Sequence, residues 1–400
     1  MPWRNEDVMD QRVRFVLRVR SGEISMSGAC REFGVTRATG YLWLRRYEEA
    51  GSVTGLKEKS RRPHVIPRQT EKRIEEAVVG LHQKTGWGAK KIEPRLRQLG
   101  HRLPVITIHR ILVRQNLVNQ DGAERQATKR FEKSAPNEMI QMDFKGDYAV
   151  QRGRCYPLSF LDDHSRFLVG LWPLPSTNGG GVYESLKENF REHGVPLSVL
   201  IDHGTPWFSG TNGHGLTWFS VWMIKQGIKL IFAGRNHPQT SGKVERFHRT
   251  LKERTRHRGA PETLEEWRDW AVEFRREYNE ERPHEALAMK TPAEVYTHDN
   301  LRPYEENPRE WHYEGGRVLR LDAQGKIRYR GHSYFVCEAL AREWVQVDEL
   351  DDRLIVTFRQ LIIREIDLTS GKSIAVILDH ESTSAHWDCP LISMDDAKSV

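Results

Sequence analysis

Leu197-Ser-Val-Leu-Ile-Asp-His-Gly-Thr-Pro206 decides the architecture of this chain. A short apolar run closed by turn residues reads as a buried strand. Here the run delivers an acid, Asp202, at its carboxyl edge. Working outward, strand signals recur at 139–144 (Met-Ile-Gln-Met-Asp-Phe), 156–162, 167–174 and 229–232. Helical patterns occupy 181–193, 216–226, 242–257 and 262–280. Three strands followed by alternating helices and strands predict a mixed α/β domain.

Two further acids stand out in that frame. Asp143 lies inside the first strand, where a carboxylate is disfavoured. Glu245 opens the helix at 242–257, and Arg249 and Lys252 follow it on the same helical face. A lone acid is far more often a surface or turn residue than a ligand. Carboxylates projected from strand ends and a helix, however, can converge on hard divalent cations, which take oxygen ligands. A pair of such ions can clamp the attacking and leaving oxygens of a phosphodiester. Asp162 and Asp163 compete for the same role, and His203, His214, His237 and His248 raise the question of zinc. The histidine spacing matches no usual zinc pattern.

The totals narrow the class. Four hundred residues, 38% apolar and 29% charged, predict a soluble protein of two to four domains. No apolar stretch approaches the roughly 18 residues of a membrane helix, and no signal-peptide pattern opens the chain, so the expected location is cytoplasmic. The four cysteines (Cys30, Cys155, Cys337, Cys389) are scattered singly and support neither a disulfide framework nor a cysteine-ligated zinc site. Residues 1–134 carry 28 Lys and Arg against 15 Asp and Glu, whereas the remainder carries 34 against 40. A basic first third beside a mildly acidic remainder suggests a polyanion held by the N-terminal region.

Helical periodicity with sharp breaks fills that first third. Segments 8–20, 25–33 and 37–47 predict three helices, with Val13, Val16 and Leu17 on one stripe and Tyr41, Leu42 and Leu44 inside. Gly34 permits the turn before the third helix, which then acts as a major-groove reader with Arg37, Arg45 and Arg46. Gly40 inside that helix costs roughly 1 kcal/mol relative to Ala. A basic linker, 56–68, offers Arg61 and Arg62 to a minor groove. A second trio at 69–84, 88–99 and 105–117 places Arg110 where another reader makes contacts. Short alternating strands from Arg317 to Ile366 predict a small antiparallel barrel, and residues 369–400 a tail.

The motifs together resemble bacterial insertion-sequence transposases of the Asp-Asp-Glu class, which carry a core like that of retroviral integrases. The resemblance rests on Gln141-Met-Asp-Phe, Leu161-Asp-Asp-His-Ser-Arg166, Asp202-His-Gly-Thr-Pro206, Gly227-Ile228, His237-Pro-Gln-Thr-Ser-Gly-Lys-Val-Glu-Arg-Phe-His-Arg-Thr-Leu-Lys252, Tyr278-Asn, Arg282-Pro-His and Thr291-Pro-Ala-Glu-Val-Tyr296. It implies helix-turn-helix modules at 1–55 and 69–121, a ribonuclease-H-like core at 135–297 and an SH3-like barrel at 310–368. It also implies that Asp143, Asp202 and Glu245 hold two magnesium ions, with manganese able to substitute. Double-stranded DNA, as element ends and target, is the implied partner of Lys243, Arg249 and Lys252 as well as of the helical modules. A homo-oligomer on paired ends and residence at the bacterial nucleoid follow in the same way. Asp162 and Asp163 fall in a structural motif under this comparison. His203 stands where the family commonly has Asn, and the 42 residues between Asp202 and Glu245 exceed the family's usual spacing. A DNA-binding regulator without catalysis, or a ribonuclease acting on RNA–DNA hybrids, are the alternative functions.

Overall fold

The computed structural model describes residues 8–58, 70–118, 132–209, 215–233 and 242–376. Arg61 and Arg62, most of the glycine-rich loop after Ser209, the His237–Ser241 motif residues and the C-terminal tail lie outside them. The chain divides into two compact units, Met1–Thr70 and Glu71–Val400.

The first unit holds α1 (Val8–Arg20), α2 (Met26–Glu32) and α3 (Arg37–Ala50), closed by a 3-10 turn at Val53–Leu56. Ser25 and Thr36 cap α2 and α3, each hydroxyl accepting a backbone N–H of the first turn. Gly34 has φ +65°, as the turn between them requires. The core is Phe15, Val16, Ala29, Cys30 and Leu56. Leu17 and Tyr41, expected inside, are instead 47% and 58% exposed. Gly40 accounts for Tyr41. A Cβ there would meet Phe15 Cζ at 2.7 Å and Cys30 Sγ at 2.9 Å, so α3 crosses its neighbours on a bare backbone and turns Tyr41 outward.

The second unit begins with another helical trio: α4 (Lys72–Thr85), α5 (Ala89–Gln98) and α6 (Val105–Arg114). They close over Val78, Trp87, Ile92, Leu96, Ile108, Ile111 and Leu112. The α/β core follows with β1 (Ile140–Phe144), β2 (Tyr148–Val150), β3 (Gly153–Asp162), β4 (Leu168–Leu174), α7 (Gly180–His193) and β5 (Ser198–Ile201). It continues through β6 (Phe208–Ser209), β7 (Gly215–Leu216), α8 (Trp218–Lys225), β8 (Lys229–Phe232), α9 (Gly242–Arg258) and α10 (Leu264–Arg276). The sheet runs β4-β3-β1-β5-β8, antiparallel on the β4 side of β1 and parallel on the other. The short β2 hairpin onto the start of β3 was not expected, because its partner strand opens with polar Gly153 and Arg154. One face of the sheet packs Phe160, Val169 and Val199 with Leu186, Phe190 and Phe219 of α7 and α8. The other packs Leu161, Leu168 and Leu171 with Phe247, Leu251 and Phe274 of α9 and α10.

Helix α9 also carries the helical trio of this unit. Arg254 donates to the Lys84 carbonyl at 2.5 Å and pairs with Glu277, while His257 Nε2 lies 2.5 Å from the Gln83 carbonyl. These are last-turn carbonyls of α4 that lack intrahelical partners, and cations favour that pole.

The C-terminal strands are β9 (Arg317–Arg320), β10 (Lys326–Tyr329), β11 (His332–Phe335), β12 (Trp344–Leu350), β13 (Arg353–Phe358), β14 (Leu361–Asp367) and β15 (Ser373–Ala375). They do not make the expected barrel. Among the described residues they form an open sheet, β15-β14-β13-β12-β9, with β10 and β11 as a separate hairpin. The three-residue β15 gives its ladder to β14, and no pairing joins it to β9. The hairpin approaches the β15 edge, Ser373 Oγ donating to the Phe335 carbonyl at 3.1 Å, but no backbone ladder joins them among the described residues.

Candidate active site

The sheet order puts β1 between β3 and β5, so Asp143 and Asp202 lie on adjacent parallel strands near their carboxyl ends. Glu245, in the first turn of α9, comes to the same edge. Asp143 is 30% exposed at its side chain, whereas Asp202 and Glu245 are exposed. Burial pushes the Asp143 carboxyl up to about 7, and the charges of Asp202 and Glu245 add to it against a hydrogen bond from the Phe144 backbone. The charges of Asp202 and Glu245 thus both reach Asp143.

The donor set is oxygen only, which suits magnesium or manganese and not a softer metal. Among the described residues, no three His, Cys, Asp or Glu side chains already stand as a closed ligand set. Asp202 instead turns Oδ1 onto the Gly204 N–H at 3.0 Å. The fit to a divalent ion is thus one of chemistry and placement rather than of a finished cage.

His248, one turn beyond Glu245, backs the first acid. Its Nδ1 lies 3.6 Å from Asp143 Oδ2 and its Nε2 lies 2.9 Å from Ser159 Oγ. Ser159 spends its single proton on the Asp143 carbonyl at 2.9 Å, so Nε2 must be the donor to Ser159 and Nδ1 carries a lone pair. Burial lowers the imidazole to about 3 and keeps it neutral, so the contact with Asp143 is not an ion pair.

The two competing acids serve the frame. Asp162 accepts from the Ser165 backbone and hydroxyl and from the Asn137 N–H, shaping the turn between β3 and β4. Asp163 is fully buried, taking Gln141 Nε2 at 2.7 Å on one oxygen and Lys243 Nζ at 2.6 Å on the other.

The cations proposed for DNA differ in placement. Arg37 and Arg110 are exposed on α3 and α6, and Arg45 is exposed 3.8 Å from Glu49. Arg46 lies over the Trp43 ring at 4.7 Å from its centroid. Arg249 and Lys252 are exposed on the face of α9 that bears Glu245. Lys243 differs from all of them: its side chain is only 16% exposed and points at Asp163. Gln141 and His248 were missed as site residues. Their signals were spacing: Gln141 is two residues before Asp143 on the same strand face, and His248 is three beyond Glu245 on the helix.

Residues 226–292 match an Integrase core domain, 11–64 a Helix-turn-helix domain and 39–112 a Homeodomain-like domain. The first match contains Glu245 and neither aspartate. The chain is 27% identical over 161 residues to an uncharacterized 39.2 kDa protein of insertion element IS476 from Xanthomonas euvesicatoria, covering 40% of this chain and 44% of that one. It is 28% identical over 162 residues to an uncharacterized 31.7 kDa protein of insertion element IS407 from Burkholderia multivorans, covering 40% and 55% respectively. The chain thus spans about half the length of these curated relatives. Among solved structures, a chain of the simian T-cell lymphotropic virus intasome in complex with PP2A regulatory subunit B56 gamma aligns over 70% of this chain and 91% of its own. The identity is 13% and the TM-score 0.37.

Proposed function

We propose that this chain, which carries an integrase core with helix-turn-helix domains and is related to the transposases of bacterial insertion sequences, cuts and joins DNA. The reading is supported by the positions of Asp143 in β1, Asp202 just past β5 and Glu245 in the first turn of α9, with the charges of the latter two reaching the Asp143 carboxyl. In this reading Asp143, Asp202 and Glu245 hold divalent cations, magnesium or manganese. Bound there, such ions lower the pKa of water and stabilise the charge on the attacking and leaving oxygens of a phosphodiester.

The rest falls to the chain's own groups. Arg249 and Lys252, on the Glu245 face of α9, lie along the DNA backbone next to the reacting phosphate. Arg37, Arg45, Arg46 and Arg110 of the helical modules hold the element's end, with Arg61 and Arg62 between them. Neutral His248 keeps a lone pair, not a second positive charge, beside Asp143. Water displaces one strand at the end of the element and leaves a 3′-hydroxyl. That hydroxyl then attacks a target phosphodiester, releasing the target's own 3′ oxygen, so the number of phosphodiester bonds is unchanged in the joining step. Paired ends imply two or more copies of the chain on double-stranded DNA.

Replacing Asp202 by Asn, or Glu245 by Gln, is expected to lower cleavage of a labelled end substrate by about 10³-fold or more, as losses within a group acting as a unit do. End binding should change little, since phosphate contacts and not the acids supply affinity. Wild-type cleavage by either variant defeats the assignment. A DNA-binding regulator without catalysis is the second reading, for which the matched helix-turn-helix and homeodomain-like regions suffice. Magnesium-dependent nicking by the wild-type chain separates the two.

A further inference from the structure

We propose that Asp163, Gln141 and Lys243 form an internal clamp that sets the position of Glu245 relative to Asp143, which makes them positioning residues and removes Lys243 from the DNA-contacting set. The inference rests on the three-acid reading of the site.

Three segments meet on one carboxylate. Asp163 stands just past β3, and its backbone N–H bonds the Met139 carbonyl at the entry to β1 at 3.0 Å. Its Oδ1 accepts from Gln141 Nε2 at 2.7 Å. Its Oδ2 accepts from Lys243 Nζ at 2.6 Å and from the Lys133 N–H at 2.7 Å, and Lys243 Nζ also donates to the Asp163 carbonyl at 2.9 Å. Gln141 completes the circuit, its Oε1 accepting the Val244 N–H at 3.2 Å. That N–H belongs to the first turn of α9, where no intrahelical acceptor exists.

The chain positions give the circuit its meaning. Gln141 precedes Asp143 by two residues on one face of β1, and Val244 immediately precedes Glu245. A shift of the first turn of α9 against β1 would break the Gln141 bond and the Lys243 ion pair together. Energetics favour position over stability as the purpose. Asp163 is 0% exposed and Gln141 1%. A buried ion pair contributes little net stability compared with apolar residues of similar volume, because desolvation offsets the attraction. Its geometry is nevertheless fixed, since moving either partner strands the other charge.

A phosphate contact at Lys243 would require giving up that pair. The two roles therefore separate by experiment. The neutral double variant Asp163→Asn/Lys243→Met removes both charges without leaving one unpaired. It is expected to weaken manganese binding to the metal-free chain, read by calorimetric titration, by about 10–100-fold, the cost typical of disturbing groups behind metal ligands. Exchange of the Val244 amide should speed up. The dependence of end binding on salt should stay as in wild type. If the salt slope instead falls by about one and manganese binding is unchanged, Lys243 is a phosphate ligand and the proposal is overturned. Unchanged values for all three readouts overturn it as well.

Gln141→Met leaves both charges in place and covers the case in which the double variant does not fold. It is expected to show the same two losses, and unaltered manganese binding and Val244 exchange in it would defeat the clamp. A wild-type chain that binds no manganese defeats the three-acid reading instead. The clamp is then judged on Val244 exchange alone, and an unchanged rate overturns it.

Discussion

The two helical trios are built on one pattern and mounted differently. The first is a compact unit with a private core around Phe15, Val16 and Leu56, and its third helix crosses on the bare backbone of Gly40. The second belongs to the same compact unit as the sheet. The carbonyls ending α4 are held by Arg254 and His257 of α9, and Lys90 of α5 pairs with Glu285 at 3.1 Å. Because α9 begins with Glu245, the second trio is tied to the helix that bears the third acid.

The largest effect that would break this contrast comes from Arg254. Its side chain is 4% exposed and its partner Glu277 11%, so Arg254→Met leaves that carboxylate only the longer contact with Arg258 at 3.7 Å, and the Lys84 carbonyl only Arg258 at 3.4 Å. A loss of about 3–5 kcal/mol is expected in the second unit. Amide exchange should quicken in α4 and α9 and stay unchanged in α1–α3. Equal protection of α4 in variant and wild type would show that the mounting is not mechanical.

Acid should sharpen the contrast next. Burial lowers His248 and His284 in the second unit to about 3, whereas residues 8–58 contain no histidine. Unfolded histidine titrates near 6.5, so below that pH the unfolded chain binds protons that the folded chain refuses. Each of these histidines then withdraws roughly 2 kcal/mol from the second unit by pH 5, while the Asp143 carboxyl, raised to about 7, takes up a proton in the folded chain and offsets part of that loss. The first unit should lack this slope. Unfolding followed unit by unit between pH 7 and 5 checks it, and parallel losses in both units contradict it.

The smallest effect belongs to Gly40. Gly40→Ala drives a methyl into Phe15 and Cys30 and should cost the first unit about 1–3 kcal/mol, against at most about 1 regained in helix propensity. End binding should weaken while manganese binding by the second unit stays the same. A stabilised first unit would mean that the helices separate to admit the methyl.

What the sequence revealed follows from which forces are local. The runs at 139–144, 156–162 and 197–201 coincide with β1, β3 and β5 within a few residues, because apolar period and turn residues act over short distances. Asp143, Asp202 and Glu245 could be singled out from their local settings and the family resemblance. The ion pair of Lys243 was not legible, since its partner Asp163 lies 80 residues earlier and composition alone made it another cation on a basic helix. Tyr41 faces outward because α3 meets its neighbours on the bare backbone of Gly40, a crossing that periodicity alone does not reveal. Barrel closure also escaped, as alternation in Arg317–Ile366 specifies strands and faces but not whether the two end strands meet.

The central claim is that Asp143, Asp202 and Glu245 share divalent cations. A crystal structure of the chain with manganese and a DNA end tests it most directly. The account predicts anomalous manganese density bridged by oxygens of all three side chains, with Asp202 released from the Gly204 N–H. Manganese absent from that edge, or bound there by neither aspartate, contradicts it.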